Sequence, residues 1–88
     1  MYTSDKNIIH LIDLLKYQKK ISSTKDFCLD IGVLEQTVSK VKKGINHFTV
    51  VHIETICKEY NVNANWIFGL QDQIFTEINS NQKGVQTA

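Results

Sequence analysis

The chain has 88 residues, of which 42% are apolar, and a formal net charge of +1. This composition indicates one small soluble domain with a modest core and excludes a membrane span, which needs roughly 20 consecutive apolar residues. The first fifteen residues carry charges among their apolar side chains and precede no small-residue cleavage site, so we expect a cytoplasmic protein.

The charges are unevenly distributed along the chain. Residues 14–44 hold seven lysines against three carboxylates, a balance of +4, whereas residues 45–88 hold two lysines against four carboxylates, a balance of −2. Such polarity is typical of a protein with one face for an anionic partner, although a solvated helix surface gives the same pattern.

Metal, redox and catalytic chemistry find little support in the sequence. Cys28 and Cys57 form no CxxC pair, so we expect two thiols rather than a disulfide. His47, His52 and Cys57 are spaced more widely than the ligands of a typical zinc site. There is no nucleophile–base pair and no glycine-rich phosphate loop. We therefore expect no metal, no cofactor and no enzymatic activity.

The first predicted helix begins near Ser4 or Asp5, either of which can cap it. Its lysines at 16, 19 and 20 suit a helix C-terminus, where cations oppose the helix dipole. Its buried stripe is formed by aliphatic residues at helical spacing, namely Ile8, Ile9, Leu11, Ile12 and Leu15.

The second helix follows a turn at residues 21–24. Ser23 can cap this helix, with Asp26 in the place of the usual capping-box Glu. Gly32 ends it, because glycine adopts the left-handed conformation without steric cost. The predicted buried side is formed by Phe27, Cys28 and Ile31.

The third helix, residues 35–43, has an unusually narrow apolar face. Val38 and Val41 lie three residues apart and share one side. At 100° per residue, the side chains that point nearly the opposite way are Gln36, Ser39, Lys40 and Lys43. Gly44 ends the helix. A helix held by only two valines adds little to stability, but a rigidly held, protruding polar helix suits the major groove of DNA.

The remaining elements are shorter or weaker. We expect Thr49 to cap a fourth helix that runs to about Tyr60, and Asn63 to cap a short fifth helix, residues 64–68. The fourth helix is expected to bury Val50, Ile53, Ile56, Cys57 and Tyr60. Beyond Gly69, Ile74, Phe75 and Ile78 can form one edge of a short helix, and residues 79–88 are typical of disorder.

The segment from residue 23 to residue 69 resembles the helix-turn-helix domain of the phage-repressor (Cro/lambda-repressor-like) family. The similarity lies in "FCLDIGVLEQTVSKVKKG", with its turn glycine and two buried valines, and in "FTVVHIETICKEYNVNANWIFG", with its capped fourth helix and aromatic-aliphatic fifth helix. It covers just over half of the chain. It implies a five-helix, all-α DNA-binding domain over residues 1–69 and a tail over residues 70–88.

The resemblance also implies contact residues. Base contacts fall on Glu35, Gln36, Thr37 and Lys40, with Gln36 the best candidate for adenine through its paired donor and acceptor. Phosphate contacts fall on Thr24, Lys25, Lys42, Lys43 and Asn46. The chain departs from the family pattern at Leu34, where a Ser or Thr cap is usual, and at Phe48, where proline is frequent. It also contains no arginine.

The family usually acts as a homodimer on a near-palindromic operator, so the resemblance implies a repressor that binds double-stranded DNA as a dimer. The expected dimer interface includes Trp66, Leu70, Ile74 and Phe75. A different hypothesis fits the missing arginines and the uncapped third helix. The same fold can serve as a protein-interaction module, such as an antitoxin or adaptor, with weak DNA binding or none.

Overall fold

The computed structural model describes residues 1–76, which form five α-helices joined by short turns. The helices are α1 (Thr3–Tyr17), α2 (Thr24–Ile31), α3 (Glu35–Lys42), α4 (Val50–Tyr60) and α5 (Ala64–Ile67). Within this range there is no β-strand, and the one extended contact is an isolated antiparallel bridge between Val62 and Phe75. The all-α class and the five helices are therefore confirmed. No helix in this part of the chain is long and apolar enough to cross a membrane.

All five helices contribute to a single apolar core. α1 packs against α3 and α5, and α2 packs against α3 and α4, so α1 and α2 together form the platform for α3. Three loop residues, Ile21, Phe48 and Val62, close gaps between the helices. The helical core residues are Ile8, Leu11, Ile12, Leu15, Phe27, Cys28, Ile31, Val38, Val41, Ile53, Ile56 and Ile67.

Side-chain caps start three of the helices where the sequence predicts them. Ser23 accepts from the backbone N–H of Asp26 at 3.4 Å, and Thr49 accepts from that of His52 at 3.2 Å. Asn63 accepts from the backbone N–H of Asn65 at 3.0 Å. Each bond satisfies one of the donors that the first turn of a helix leaves free.

The start of α1 differs from the prediction. The N-cap is Tyr2, so Ser4 and Asp5 lie inside the first turn and both are buried. Asp5 occupies the N3 position, and its carboxylate accepts from the backbone N–H of Tyr2 at 2.9 Å. Asp26 also differs from a capping box, because its carboxylate binds Ser22, one residue before the cap.

The burial of three residues of α4 and the ends of two helices differ slightly from the prediction. Val50 is 79% exposed rather than buried, because the first residue of α4 faces away from the core. Cys57 and Tyr60 are half-buried. α3 ends one residue earlier than predicted, with Lys43 as its C-cap, and α5 ends at Ile67, with Phe68 as its C-cap.

Residues 70–76 form no helix, so the predicted helix edge at Ile74 and Phe75 is wrong. The backbone N–H of Asn63 donates to the carbonyl of Ile74, and that of Thr76 donates to the carbonyl of Asn61, both at 2.7 Å. These bonds lay the segment beside the α4–α5 turn. Ile78 and the predicted disordered stretch, residues 79–88, lie outside the described residues.

Candidate nucleic-acid interface

α3 is attached to the core by two side chains and a tight turn. Val38 is 2% exposed and Val41 is fully buried. The turn from α2 to α3 passes through Gly32, whose φ of +74° lies in the left-handed region that favours glycine. The N–H of Val33 then donates to the carbonyl of Cys28 at 3.0 Å, which fixes the angle between the two helices.

The outward face of α3 is polar. Three of the four predicted base-contacting residues, Glu35, Gln36 and Lys40, are exposed, and Ser39 lies exposed among them. The fourth, Thr37, is half-buried, because it lies at the border between this face and the valines. The structure therefore places Glu35, Gln36 and Lys40 on one accessible edge and leaves Thr37 beside it.

The two ends of α3 are held differently. Leu34 is the N-cap and is 68% exposed, and it gives no side-chain hydrogen bond to the first turn. At the other end, the N–H of Ile45 donates to the carbonyl of Lys40, and the N–H of Gly44 donates to that of Val41, both at 2.9 Å. This pair of bonds, with Gly44 at a φ of +80°, is a Schellman motif. It makes the C-terminal end of α3 the better-defined one.

The predicted phosphate contacts surround that end and the start of α2. Lys25, Lys42, Lys43 and Asn46 are exposed, and Thr24, the first residue of α2, is half-buried. Within residues 1–76 the only salt bridge joins His47 and Asp5. The lysines of α3 therefore form no ion pair within the described part of the chain, and their charges face solvent.

A buried carboxylate ties the loop after α3 to the start of α1. Asp5 is fully buried, and its second oxygen, Oδ1, accepts from the backbone N–H of Phe48 at 2.9 Å. Its Oδ2 atom lies 2.6 Å from Nδ1 of His47. Burial raises the pKa of Asp5, but the hydrogen bonds from His47, Phe48 and Tyr2 outweigh it, so the pKa lies below its ordinary value.

Sequence analysis missed this cluster of Asp5, His47 and Tyr2. The His47 ring stacks on the Tyr2 ring with centroids 3.7 Å apart and an interplanar angle of 8°. An acidic residue in the first turn of a helix is an ordinary sequence signal, and it indicates only a favourable interaction with the helix dipole. Two of the partners of Asp5, His47 and Phe48, lie more than forty residues away, beyond the reach of local patterns.

The predicted dimer residues divide into two groups. Leu70 is 73% exposed, and Phe68 beside it is 47% exposed. In contrast, Trp66, Ile74 and Phe75 are half-buried and pack against the core of their own chain. The Phe75 ring also lies under the Lys20 ammonium, 4.8 Å from its centroid. The accessible apolar surface at this end is therefore centred on Leu70 and Phe68.

The histidines and cysteines serve separate local roles. His52 accepts through Nδ1 from the backbone N–H of Thr49 at 3.1 Å, and its burial lowers its pKa. Cys28 and Cys57 are free thiols, and burial raises the pKa of each. No group of three or more His, Cys, Asp or Glu side chains suited to a metal ion occurs among residues 1–76.

Comparison with known proteins adds no family assignment. No protein-family model matches the chain, no curated protein is significantly similar to it, and no solved structure matches it.

Proposed function

We propose that this protein is a sequence-specific DNA-binding transcription regulator, acting as a repressor in the cytoplasm, that inserts α3 into the major groove as a homodimer. The observation that carries the proposal is the contrast between the two sides of α3. Val38 and Val41 are buried, whereas Gln36 and Lys40 are exposed on a helix that a glycine turn fixes to α2.

The dimensions of α3 suit this role. An α-helix with its side chains is about 10–12 Å in diameter, and the major groove is about 12 Å wide. Only two side chains of α3 are used for packing, so its polar edge is left for base contacts. Gln36 can bind adenine in a bidentate manner, Lys40 can reach guanine or a phosphate, and Glu35 can accept from a cytosine amino group.

Positive charge beside that edge supports the same function. Lys40, Lys42 and Lys43 lie in the last turns of α3 or at its cap, and Lys25 lies in the first turn of α2. Lysine binds phosphate as a point charge and reads bases less specifically than arginine, which this chain lacks. We therefore propose that affinity comes mainly from phosphate contacts and that Gln36 carries much of the specificity.

A dimer follows from the small number of phosphate contacts that one protomer offers. One domain of this size binds DNA weakly at physiological salt, whereas two protomers reading half-sites about one helical turn apart double the contacts. The proposed dimer interface is centred on exposed Leu70, with Trp66 behind it. Leu70→Glu is expected to shift the protein from dimer to monomer in sedimentation, whereas Leu29→Glu, at a 70% exposed position on α2, is not.

A salt titration tests the proposed function directly. Binding of the wild-type protein to a labelled duplex should weaken steeply with salt, with a slope of log K against log salt of about −0.9 for each neutralised phosphate. Lys43→Ala should weaken binding to all sequences and reduce that slope by about one per protomer. Lys58→Ala, an exposed lysine in the last turn of α4, is the matched control and should leave both unchanged.

A second candidate function is a protein-interaction module, such as an antitoxin or adaptor. It is favoured by exposed apolar side chains that flank α3 in the chain, namely Leu34, Ile45, Val50 and Val51, each at least 64% exposed. If DNA retention shows no salt dependence, and if Gln36→Ala and Lys43→Ala leave it unchanged, this function replaces DNA binding.

A further inference from the structure

The cluster of Asp5, His47 and Tyr2 joins the start of α1 to the loop that follows α3, where His47 lies next to the predicted phosphate contact Asn46. The His47 side chain is 38% exposed, whereas Asp5, to which it binds, is fully buried. Tyr2 covers one face of the imidazole ring. Nδ1 of His47 therefore points inward, toward Asp5. The imidazole ring is held by this hydrogen bond and by the stacked ring of Tyr2.

The hydrogen bond to Asp5 fixes the tautomer of His47. The Asp5 carboxylate already accepts two backbone N–H groups, and its lowered pKa keeps it ionised at neutral pH. An ionised carboxylate only accepts hydrogen bonds, so Nδ1 of His47 must carry the hydrogen. In neutral His47, Nε2 is then an acceptor, which cannot bind a phosphate oxygen.

We propose that His47 is a further phosphate-binding residue of the DNA interface, that it binds only in its protonated form, and that Asp5 is its positioning residue. This inference rests on the proposed DNA-binding function. On protonation, Nε2 gains a hydrogen and becomes a cationic donor on the side of the ring opposite Asp5, as Nδ1 keeps its bond. DNA affinity therefore increases as the pH falls through the range in which histidine gains a proton.

The other titratable groups around this loop do not reproduce the effect. Asp5 and Tyr2 approach His47 from the start of α1, and the ordinary pKa values of aspartate and tyrosine side chains both lie far from neutral pH. His52 faces the loop from α4 through the Phe48 ring, but its Nδ1 is an acceptor in the α4 cap, and burial lowers its pKa. Lys42 and Lys43 precede the loop, and the ordinary pKa of a lysine side chain lies well above the range of the experiment.

The experiment measures binding of the full chain to a mixed-sequence duplex of about 20 base pairs, long enough for two half-sites one helical turn apart. Fluorescence anisotropy is recorded at about pH 7.5 and about pH 5.5, on either side of the histidine range, at several salt concentrations. The wild type is expected to bind about three- to tenfold more tightly at the lower pH, the size of one exposed charge-assisted contact per protomer. Its salt slope should become steeper by about 0.9 for each His47 bound.

His47→Gln is expected to abolish the difference between the two pH values in both affinity and slope. The matched controls are His10→Gln, at an exposed position on α1, and His52→Gln, where glutamine suits the N3 position of a capping box. Both should retain the pH dependence. Urea denaturation of each variant at both pH values checks that the folded fraction is unchanged.

The outcomes separate the two proposals. If the wild type binds DNA with a salt-dependent affinity but His47→Gln keeps the same pH profile, this inference is overturned and the proposed function stands. If the wild type shows no salt-dependent binding at either pH, the proposed function is overturned and this inference with it. Nitrogen chemical shifts of the His47 ring give a DNA-independent check, because an Nε2–H tautomer in the free protein contradicts the geometry argued here.

Discussion

Replacement of Asp5 is expected to cost more stability than any other carboxylate change in the described part of the chain. The carboxylate accepts hydrogen bonds from the backbone N–H groups of Tyr2 and Phe48 and from Nδ1 of His47. Tyr2 and His47 are partly exposed, so in Asp5→Ala their donors can turn to water. The Phe48 N–H is buried and keeps no partner.

The magnitude follows from these three bonds. A buried donor left without a partner costs about 1–3 kcal/mol, and each of the two partly exposed bonds contributes about 1 kcal/mol. The expected loss for Asp5→Ala is therefore about 3–5 kcal/mol. A chain of this length has a total stability of about 4–13 kcal/mol, so the variant loses roughly a quarter of it or more.

Equilibrium urea denaturation at neutral pH measures this loss, with Asp13→Ala as the control. Asp13 is exposed on the same helix and should change the free energy of unfolding by less than about 0.5 kcal/mol. A loss below about 1 kcal/mol for Asp5→Ala would refute the argument, because it would mean that the Phe48 N–H finds another partner at little cost.

The contribution of Asp5 to the free energy of unfolding changes with pH in a definite direction. The pKa of folded Asp5 lies below its ordinary value, so its contribution to stability is complete above the unfolded pKa of about 3.9. The contribution disappears as the pH falls through the lower folded pKa. The stability difference between wild type and Asp5→Ala should therefore shrink once the pH falls below about 4.

Three further predictions concern helix ends and a buried thiol. Leu34→Ser should stabilise the protein by about 0.5–1 kcal/mol in thermal unfolding, because it supplies the side-chain cap that α3 lacks and removes an exposed apolar residue. If there is no gain, water already satisfies the free backbone N–H groups in the first turn of α3. Lys19→Gly should raise the melting temperature by a few degrees, since Lys19 has a φ of +61° at the end of α1 and glycine takes this conformation without strain. A lower melting temperature would contradict this prediction. Cys28 should resist alkylation in the native state at neutral pH and react fully in urea, because it is 2% exposed and burial raises its pKa. Mass spectrometry after treatment with a thiol reagent measures both reactions, and alkylation of the native protein would contradict the prediction.

Sequence reasoning predicted the elements whose signals are local. Ser23, Thr49 and Asn63 start their helices as caps, and Gly32 and Gly44 adopt the left-handed conformation at the turns that enclose α3. Each of these effects depends on residues within four or five positions of one another. The all-α class and the narrow apolar face of α3 were predictable for the same reason.

The larger errors concern contacts between distant parts of the chain. Val50 is exposed although it is apolar, because the direction that α4 presents to the core is set by its packing on α2. Ile74 and Phe75 are extended rather than helical, because their segment pairs with the α4–α5 turn. The role of Asp5 depends on Phe48 and His47, which the fold alone brings next to it.

The sequence predicted where the candidate site residues lie on the surface, but not the contacts that hold the site in place. The structure leaves Gln36 and Lys40 accessible on one edge of α3, as an interface with DNA requires, and places Thr37 at the border of that edge. The sequence predicted which residues face outward, because Val38 and Val41 define the inward side. It did not predict that the loop after α3 is anchored to α1 by a buried carboxylate, since that anchor joins two elements that are far apart in the chain.

Selection from a random DNA pool, run in parallel with the wild type and Gln36→Ala, tests the proposed role of α3 most directly. The wild type is expected to enrich a near-palindromic sequence whose half-sites lie about one helical turn apart. Gln36→Ala is expected to lose the preference at one base pair in each half-site, at a cost of about 1–3 kcal/mol for that position, while retaining the rest of the motif. Recovery of no enriched sequence by the wild type, or of the same motif at the same strength by Gln36→Ala, would contradict the proposal that the exposed edge of α3 reads DNA.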